Sequence, residues 1–310
     1  MKRGVEILDV LFLLRPTLFY PIWTFFLAGT WGGMRFGTGV GDLTHPVGPL
    51  WVVVGLTLVM GGVFILNQIQ DVETDRVNGK LFLLANGIVP VKAAYQEATL
   101  MMVCGLALGF WIDFRIGLGF LILVLLSGWL YNYPPTRWKN RPIMGLVVNG
   151  MGGLVIYSLG WMVGGGRGFV VFRAVIYALA GVAVFLNTTL PDREGDEKTG
   201  KITFGVRYGI KRTVVLALAV EICAVGLALL FRDWLLFFPG LVVLPLFVLS
   251  AVKRTLAEVI RATKFSVLAL AVAVCVVFPL YLLPVFIVFF LSKWYYGKRF
   301  DFNYPSFRSS

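Results

Sequence analysis

Long apolar runs are the feature that most limits how this chain can fold. An α-helix needs about 20 apolar residues to cross the hydrocarbon core of a bilayer, and the chain offers about nine runs near that length. They occupy residues 11–33, 50–70, 93–112, 116–131, 143–163, 170–190, 213–231, 234–252 and 265–291. Of the 310 residues, 58% are hydrophobic and 14% are charged, whereas soluble domains carry about 45–50% and about 25%. We therefore predict an all-α integral membrane protein with a single domain over residues 1–310, of which 292–310 form a C-terminal tail.

Lys and Arg collect in alternate connections between the predicted spans, which predicts the orientation of the chain. The richer set is Arg76, Lys80, Lys92, Arg137, Lys139, Arg141, Arg193, Lys198, Lys201, Arg207, Lys211, Arg212, Lys253, Arg254, Arg261 and Lys264. Because short cytoplasmic loops are enriched in these residues, we expect this side and the N-terminus to be cytoplasmic, in an inner or plasma membrane. An odd number of spans would place the tail outside, although the tail is itself basic. The net charge of +12 thus reports topology, and nucleic acid is not an expected partner.

Two acidic motifs fall on that same side of the predicted membrane domain. Asn67, Asp71 and Asp75 end the second apolar run at i, i+4 and i+8, and Asp192 and Asp196 follow the sixth. That spacing puts the carboxylates of each motif on one helix face, where like charges repel unless a cation sits between them. Hard oxygen ligands of this kind suit Mg²⁺, which is commonly shared with substrate phosphates. We expect a Mg²⁺ site here; ordinary solvated loop ends are the alternative.

A basic loop lies between the two acidic motifs in sequence and on the same predicted side. It contains Arg137 and Lys139, and Lys201 follows the second acidic motif. These cations can bind the phosphate oxygens that a metal leaves open. A diphosphate with an apolar body would fit a cavity that is polar at its mouth and apolar within the helical bundle.

Three further polar residues are candidate cavity residues, namely Tyr131, Asn149 and Asn187. Each has a structural alternative: an interfacial tyrosine, or an amide that bonds one helix to another. Glu221 lies within the seventh predicted span, where an isolated carboxylate marks either a functional site or an interhelical bond. Both interpretations of Glu221 stay open on the sequence alone.

These motifs together resemble the UbiA-type intramembrane prenyltransferases along nearly the whole chain. The first acidic motif is similar to the first Asp-rich motif of that family, and Asp192-x-x-x-Asp196 with Lys201 is similar to the second. Tyr131-x-x-Pro134-Pro135-x-Arg137-x-Lys139 resembles the family's basic loop. The resemblance implies about nine helices around a central cavity, with both Asp-motif loops on the cytoplasmic side. It implies Mg²⁺-dependent transfer of an isoprenyl group from an isoprenyl diphosphate to an aromatic or other lipophilic acceptor in the bilayer.

The resemblance also assigns roles to individual residues. Asp71, Asp75, Asp192 and Asp196 would be catalytic metal ligands, and Asn67 would orient or ligate the metal. The predicted diphosphate-binding residues are Lys80, Arg137, Lys139 and Lys201.

The chain departs from the family pattern at two positions near the first motif. Phe82 stands where many members have an Arg, for which Lys80 would substitute, and Gln68 stands where Asp is frequent. Two alternatives therefore remain beside the enzyme: a catalytically silent isoprenoid-binding member of the family, and an ion-coupled transporter. Transporters usually place coupling sites near the membrane midplane, whereas these acids cluster at one face.

Overall fold

The computed structural model describes residues 5–37, 48–79, 82–167 and 170–305. Within these ranges the secondary structure is entirely helical. The α-helices in chain order are α1 (Ile7–Leu13), α2 (Phe19–Phe36), α3 (Pro49–Val77), α4 (Phe82–Ala85), α5 (Val91–Ile112), α6 (Phe114–Leu123), α7 (Pro142–Val163), α8 (Val171–Thr188), α9 (Arg193–Lys198), α10 (Phe204–Leu230), α11 (Trp234–Lys253), α12 (Leu256–Val277) and α13 (Leu282–Phe300).

Nine helical segments in the described ranges are long and apolar enough to cross a membrane. The first joins α1 and α2 across a break at Arg15, which takes a left-handed conformation (φ 55°). Phe114–Leu130 is a further, shorter apolar segment, in which α6 continues as the π-helical stretch Val124–Leu130. The prediction of an all-α integral membrane protein is confirmed.

The ninth predicted span, residues 265–291, is interrupted in the sequence by Pro279 and Pro284, and in the structure it is divided between two helices. α12 ends at Val277, and Phe278 is non-helical (φ −121°, ψ 80°) immediately before Pro279. A proline disfavours the helical conformation of the residue before it and cannot donate the next backbone hydrogen bond. Pro284 does not interrupt α13 because it lies in the first turn, where no intrahelical partner is required.

The C-terminal helix returns to the side of the membrane where the chain begins. Arg299 near the end of α13 pairs with Glu6 and Asp9 at the start of α1. Residues 292–300, predicted to belong to a tail, are the last part of this helix. The expectation that the tail lies opposite the N-terminus is therefore wrong, because the predicted ninth span is two helices.

Helices α2 and α7 run side by side with their backbones in contact. A Cβ atom at Gly29 or Gly33 of α2 would overlap the carbonyl of Tyr157 or Trp161, and one at Gly160 would overlap that of Phe26. Small residues allow helices in lipid to approach this closely. The contact seals the half of the bundle farther from the acidic motifs, since both helices run away from the end that carries those motifs.

Candidate functional site

A lysine–aspartate cluster joins the two acidic motifs and the basic loop. The Lys139 Nζ lies 2.7 Å from Asp71 Oδ1. The Lys201 Nζ lies 3.4 Å from Asp71 Oδ2 and 3.6 Å from Asp196 Oδ1. The Lys139 side chain is only 1% exposed. Three segments that are remote in sequence therefore meet at one end of the helical bundle.

The local backbone explains why these two lysines point into the cluster. Arg137 has a left-handed conformation (φ 38°) and precedes a 3₁₀ turn over Trp138–Asn140, so the chain reverses; Lys139 is buried and Arg137 is exposed. Gly200 (φ 74°) ends α9, and the Lys201 N–H donates to the Asp196 carbonyl at 2.8 Å. This is the Schellman arrangement, for which glycine is favoured because it has no Cβ.

The remaining carboxylates of both motifs interact electrostatically across the cluster. Asp75 is repelled by Asp71 and Asp192 and attracted by Arg15 and Lys201. Burial raises the pKa of Asp196, and attraction to Lys201 only partly offsets this effect. Repulsion among carboxylates that are withdrawn from water is relieved when cations bind between them.

Burial and ion pairing act differently on the two lysines. For Lys139, burial is the largest effect and lowers the pKa despite the adjacent Asp71. For Lys201, burial is outweighed by Asp71 and Asp196 together, so its pKa is raised. Lys201 is therefore a firmly charged bridge between the two acidic motifs.

Asn67 and Tyr131 flank the cluster on its membrane side. The Asn67 amide donates to Asn132 Oδ1 at 3.0 Å, and Asn132 in turn donates to the Gly128 carbonyl in the π-helical stretch. The Tyr131 phenol lies close to Lys201, Asp71, Asp196 and Asn149. Asn149 remains exposed although it lies in a spanning helix, which places open space next to the cluster.

Some predicted site residues lie elsewhere or outside the described residues. Asn187 is completely buried, and neither of its amide atoms has a hydrogen-bond partner in the described part of the chain. Arg137 is exposed at the rim of the cluster. Lys80 and the side chain of Phe82, on which the family departure rests, lie outside the described residues. Glu221 is buried on α10 against Gly240 of α11, away from the cluster.

The structure also identifies residues near the first motif that the sequence did not single out for this role. Gln68, 2% exposed, donates from Nε2 to the Leu13 carbonyl at 2.7 Å. That carbonyl lies just before the break at Arg15, so Gln68 ties α3 to α1 instead of facing a metal. Asn132 was likewise overlooked. Gln68 and Asn132 are both buried amides that bond next to an irregular stretch of helix. The sequence does not show where such irregular stretches occur.

The donor set of the cluster fits Mg²⁺, since carboxylate oxygens are the ligands this cation prefers. No group of three or more His, Cys, Asp or Glu in the described ranges is already gathered closely enough to hold a metal. As the structure stands, ammonium groups balance Asp71 and Asp196. A cation bound by these carboxylates would compete with Lys139 and Lys201 for them.

Comparisons with known proteins agree on one family. The model of the UbiA prenyltransferase family matches residues 25–259. Digeranylgeranylglyceryl phosphate synthase of Methanoculleus marisnigri is 28% identical over 78% of this chain and 91% of that protein. 2-Acylphloroglucinol 4-prenyltransferase of Humulus lupulus is 28% identical over 53% of this chain, and the match spans only 43% of that relative.

The fold is also shared with solved structures. A UbiA homologue from Archaeoglobus fulgidus, bound to GPP and Mg²⁺, has a TM-score of 0.61 and 20% identity, covering 86% of this chain and 98% of that one.

Proposed function

The chain belongs to the UbiA prenyltransferase family, and from that premise we propose that it transfers an isoprenyl group from an isoprenyl diphosphate to a lipophilic acceptor within the membrane. The observation that carries the proposal is Lys201, which bridges Asp71 of the first motif and Asp196 of the second. A single anionic group placed there is next to both acidic motifs, the buried Lys139 and the partly buried Lys201. The names of two relatives, a 2-acylphloroglucinol 4-prenyltransferase and a digeranylgeranylglyceryl phosphate synthase, support this class of reaction.

Different residues of the cluster would bind the metal and bind the diphosphate. Asp71, Asp75, Asp192 and Asp196, with Asn67, would hold Mg²⁺, which when bound supplies Lewis-acid stabilisation of the diphosphate leaving group. Lys139 and Lys201 release Asp71 and bind diphosphate oxygens, and Arg137 contributes at the exposed rim. Scission of the C–O bond leaves an allylic cation, which the Tyr131 ring and the apolar helices shield from water. An electron-rich carbon or oxygen of the acceptor then bonds to that carbon and loses its proton to water or to the released diphosphate.

We also propose that the cluster faces the cytoplasm. It lies on the side that carries the basic connections, and Arg299 and Lys298 of α13 add to that side through the contact of Arg299 with Glu6. Cytoplasmic loops are enriched in Lys and Arg. In this orientation the basic end of the C-terminal helix also lies in the cytoplasm and so follows the same rule.

The test is diphosphate release by the purified protein in nanodiscs, with Mg²⁺, isoprenyl diphosphates of several lengths, and aromatic or glycerol-phosphate acceptors. We expect Mg²⁺-dependent release that Asp71→Asn lowers by about 10²–10³-fold, as when a group that stabilises transition-state charge is lost. The matched control is Glu73→Gln, because Glu73 lies on the same helix but pairs with Arg76 in solvent. Binding of the diphosphate without turnover under any of these conditions would instead identify a silent family member.

A further inference from the structure

Two threonines join the end of α3 to α9 beside the lysine–aspartate cluster. Thr74 Oγ1 lies 3.1 Å from Thr199 Oγ1. The Thr199 hydroxyl donates back to α9, to the Gly195 carbonyl at 2.9 Å and to the Asp196 carbonyl at 3.1 Å. Thr74, which is buried, is therefore the donor of the hydrogen bond between the two helices.

Asn78 and Gly195 make a second contact between the same two helices. Asn78 follows Thr74 by four residues, so both lie on one face at the end of α3. A Cβ atom at Gly195, which is buried, would overlap the Asn78 side-chain amide. Glycine weakens a helix relative to alanine, and the close approach of Asn78 explains its presence here. We call Thr74, Asn78, Gly195 and Thr199 the α3–α9 joint.

The α3–α9 joint connects two segments whose carboxylates repel each other. Asp75 of α3 is repelled by Asp192, the residue immediately before α9. α9 has only six residues, too few for a helix that is stable without tertiary contacts. Lys201 is a charged bridge between the motifs, but in the proposed function it turns to the diphosphate. The joint is uncharged, so it can stay closed when that bridge opens.

We propose that the α3–α9 joint positions the two acidic motifs, keeping their separation fixed while a donor diphosphate and its Mg²⁺ bind between them. The inference rests on the proposed function, since it takes that diphosphate as the ligand. The four residues act through the acidic motifs and are positioning residues. If the joint opens, only a fraction of the molecules has the separation that binds the donor, and the apparent affinity falls accordingly.

The first test removes the hydrogen bond and keeps the size of the side chain. Thr74→Val should weaken binding of geranyl thiodiphosphate with Mg²⁺ by about tenfold, the upper scale for one hydrogen bond. Thr74→Ser should bind like wild type because it keeps the hydroxyl. In turnover, Thr74→Val should raise KM with little change in kcat, because bound donor closes the joint again. The matched control is Thr188→Val, since Thr188 is exposed and donates to the Phe185 carbonyl of its own helix.

The second test exchanges the partners of the glycine contact. Gly195→Ala should weaken binding of the analogue although alanine is the better helix former, because the added methyl group displaces Asn78. Adding Asn78→Ala to Gly195→Ala should recover affinity, since space is then available for the methyl group. Such a recovery is the non-additivity expected of residues in direct contact.

A cross-link tests the separation of the motifs without turnover. Thr74→Cys and Thr199→Cys together place two sulfur atoms near the present oxygen positions, so oxidation should join them. The oxidised protein should bind the analogue as tightly as the reduced protein. Absence of the cross-link, or binding that is lost on oxidation and regained with reductant, would overturn the proposal.

Equal affinities of Thr74→Val and Thr74→Ser, or no recovery in the Asn78 and Gly195 double variant, would also overturn it. If Thr74→Val does not fold, the cross-link and the double variant decide the matter. Failure of wild-type protein to bind any analogue would contradict the proposed function itself. Normal wild-type binding with unchanged variants would contradict the role of the joint alone.

Discussion

The Lys139 ammonium group lies 2.7 Å from the Asp71 carboxylate across 68 positions of sequence. Both side chains are buried, so neither charge is stable without an anion or cation beside it. This pair fixes the basic loop against the first acidic motif. In the proposed function, the diphosphate would take the place of Asp71 as the anionic partner of Lys139.

The pair predicts unequal effects of two substitutions in the basic loop. Lys139→Gln should lower Mg²⁺-dependent diphosphate release by about 10²-fold or more, because a buried charge contact to the leaving group is lost. Arg137→Gln should have a much smaller effect, since that side chain is exposed. The measurement is kcat/KM for both variants in the same nanodiscs. Equal losses would contradict the distinction between a buried and a peripheral cation.

Restoring the acid that the family frequently has at position 68 should not improve metal binding. Gln68→Asp leaves the Leu13 carbonyl without the donor it has in Gln68 and places a buried carboxylate next to that carbonyl oxygen. An unsatisfied buried polar group costs about 1–3 kcal/mol, and a charged group costs more. We expect a lower thermal midpoint and an unchanged Mg²⁺ dependence. Tighter Mg²⁺ binding, measured by titration of diphosphate release, would show that position 68 faces the metal after all.

The seam between α2 and α7 should not tolerate a methyl group. Gly29→Ala places a Cβ against the Tyr157 carbonyl and should lower the thermal midpoint by several degrees, because backbone contact would have to open. Gly226→Ala on α10 is the control, since nothing lies within 4 Å of its Cβ position. That change should be neutral or stabilising by about 0.5–1 kcal/mol. Tolerance of Gly29→Ala would mean that the seam is more open.

Arg299 should be needed to hold the C-terminal helix against α1. It pairs with Asp9, which is completely buried, so Arg299→Leu leaves a buried charge unpaired at a cost of about 3–5 kcal/mol. Lys298→Leu removes a neighbouring exposed cation and serves as the control. Proteolysis of the C-terminal segment in detergent should accelerate in Arg299→Leu alone. Similar protection in both variants would argue against the ion pair as the anchor.

Both chain termini should lie in the cytoplasm. A reporter fused after residue 310 should be active as a fluorescent protein and inactive as a phosphatase that requires export. The contact of Arg299 with Glu6 requires the two ends to be on one side, and the basic loops assign that side. The opposite reporter pattern would refute the orientation without affecting the fold.

Hydropathy predicted most spans within a few residues but counted the last two helices as one interrupted span. Residues 143–163 correspond closely to α7, which begins at Pro142, whereas 265–291 are parts of α12 and α13. A proline inside an apolar run can mark the end of one helix and the start of the next. Hydropathy does not reveal this division, because the run is apolar on both sides of the proline. For this reason the end of the C-terminal helix was predicted on the side opposite the N-terminus, whereas Arg299 contacts Glu6.

The sequence alone determined the class of protein and the acidic and basic motifs, because membrane insertion and i, i+4 spacing depend on residues close in the chain. The tertiary structure decided which cations enter the cluster: Lys139 is buried and Arg137 is not, although they are two positions apart. It also decided that Gln68 of α3 donates its hydrogen bond to the Leu13 carbonyl of α1. Such roles depend on the left-handed turns at Arg137 and Arg15 and on helix contacts made by distant glycines, and local patterns do not encode these contacts.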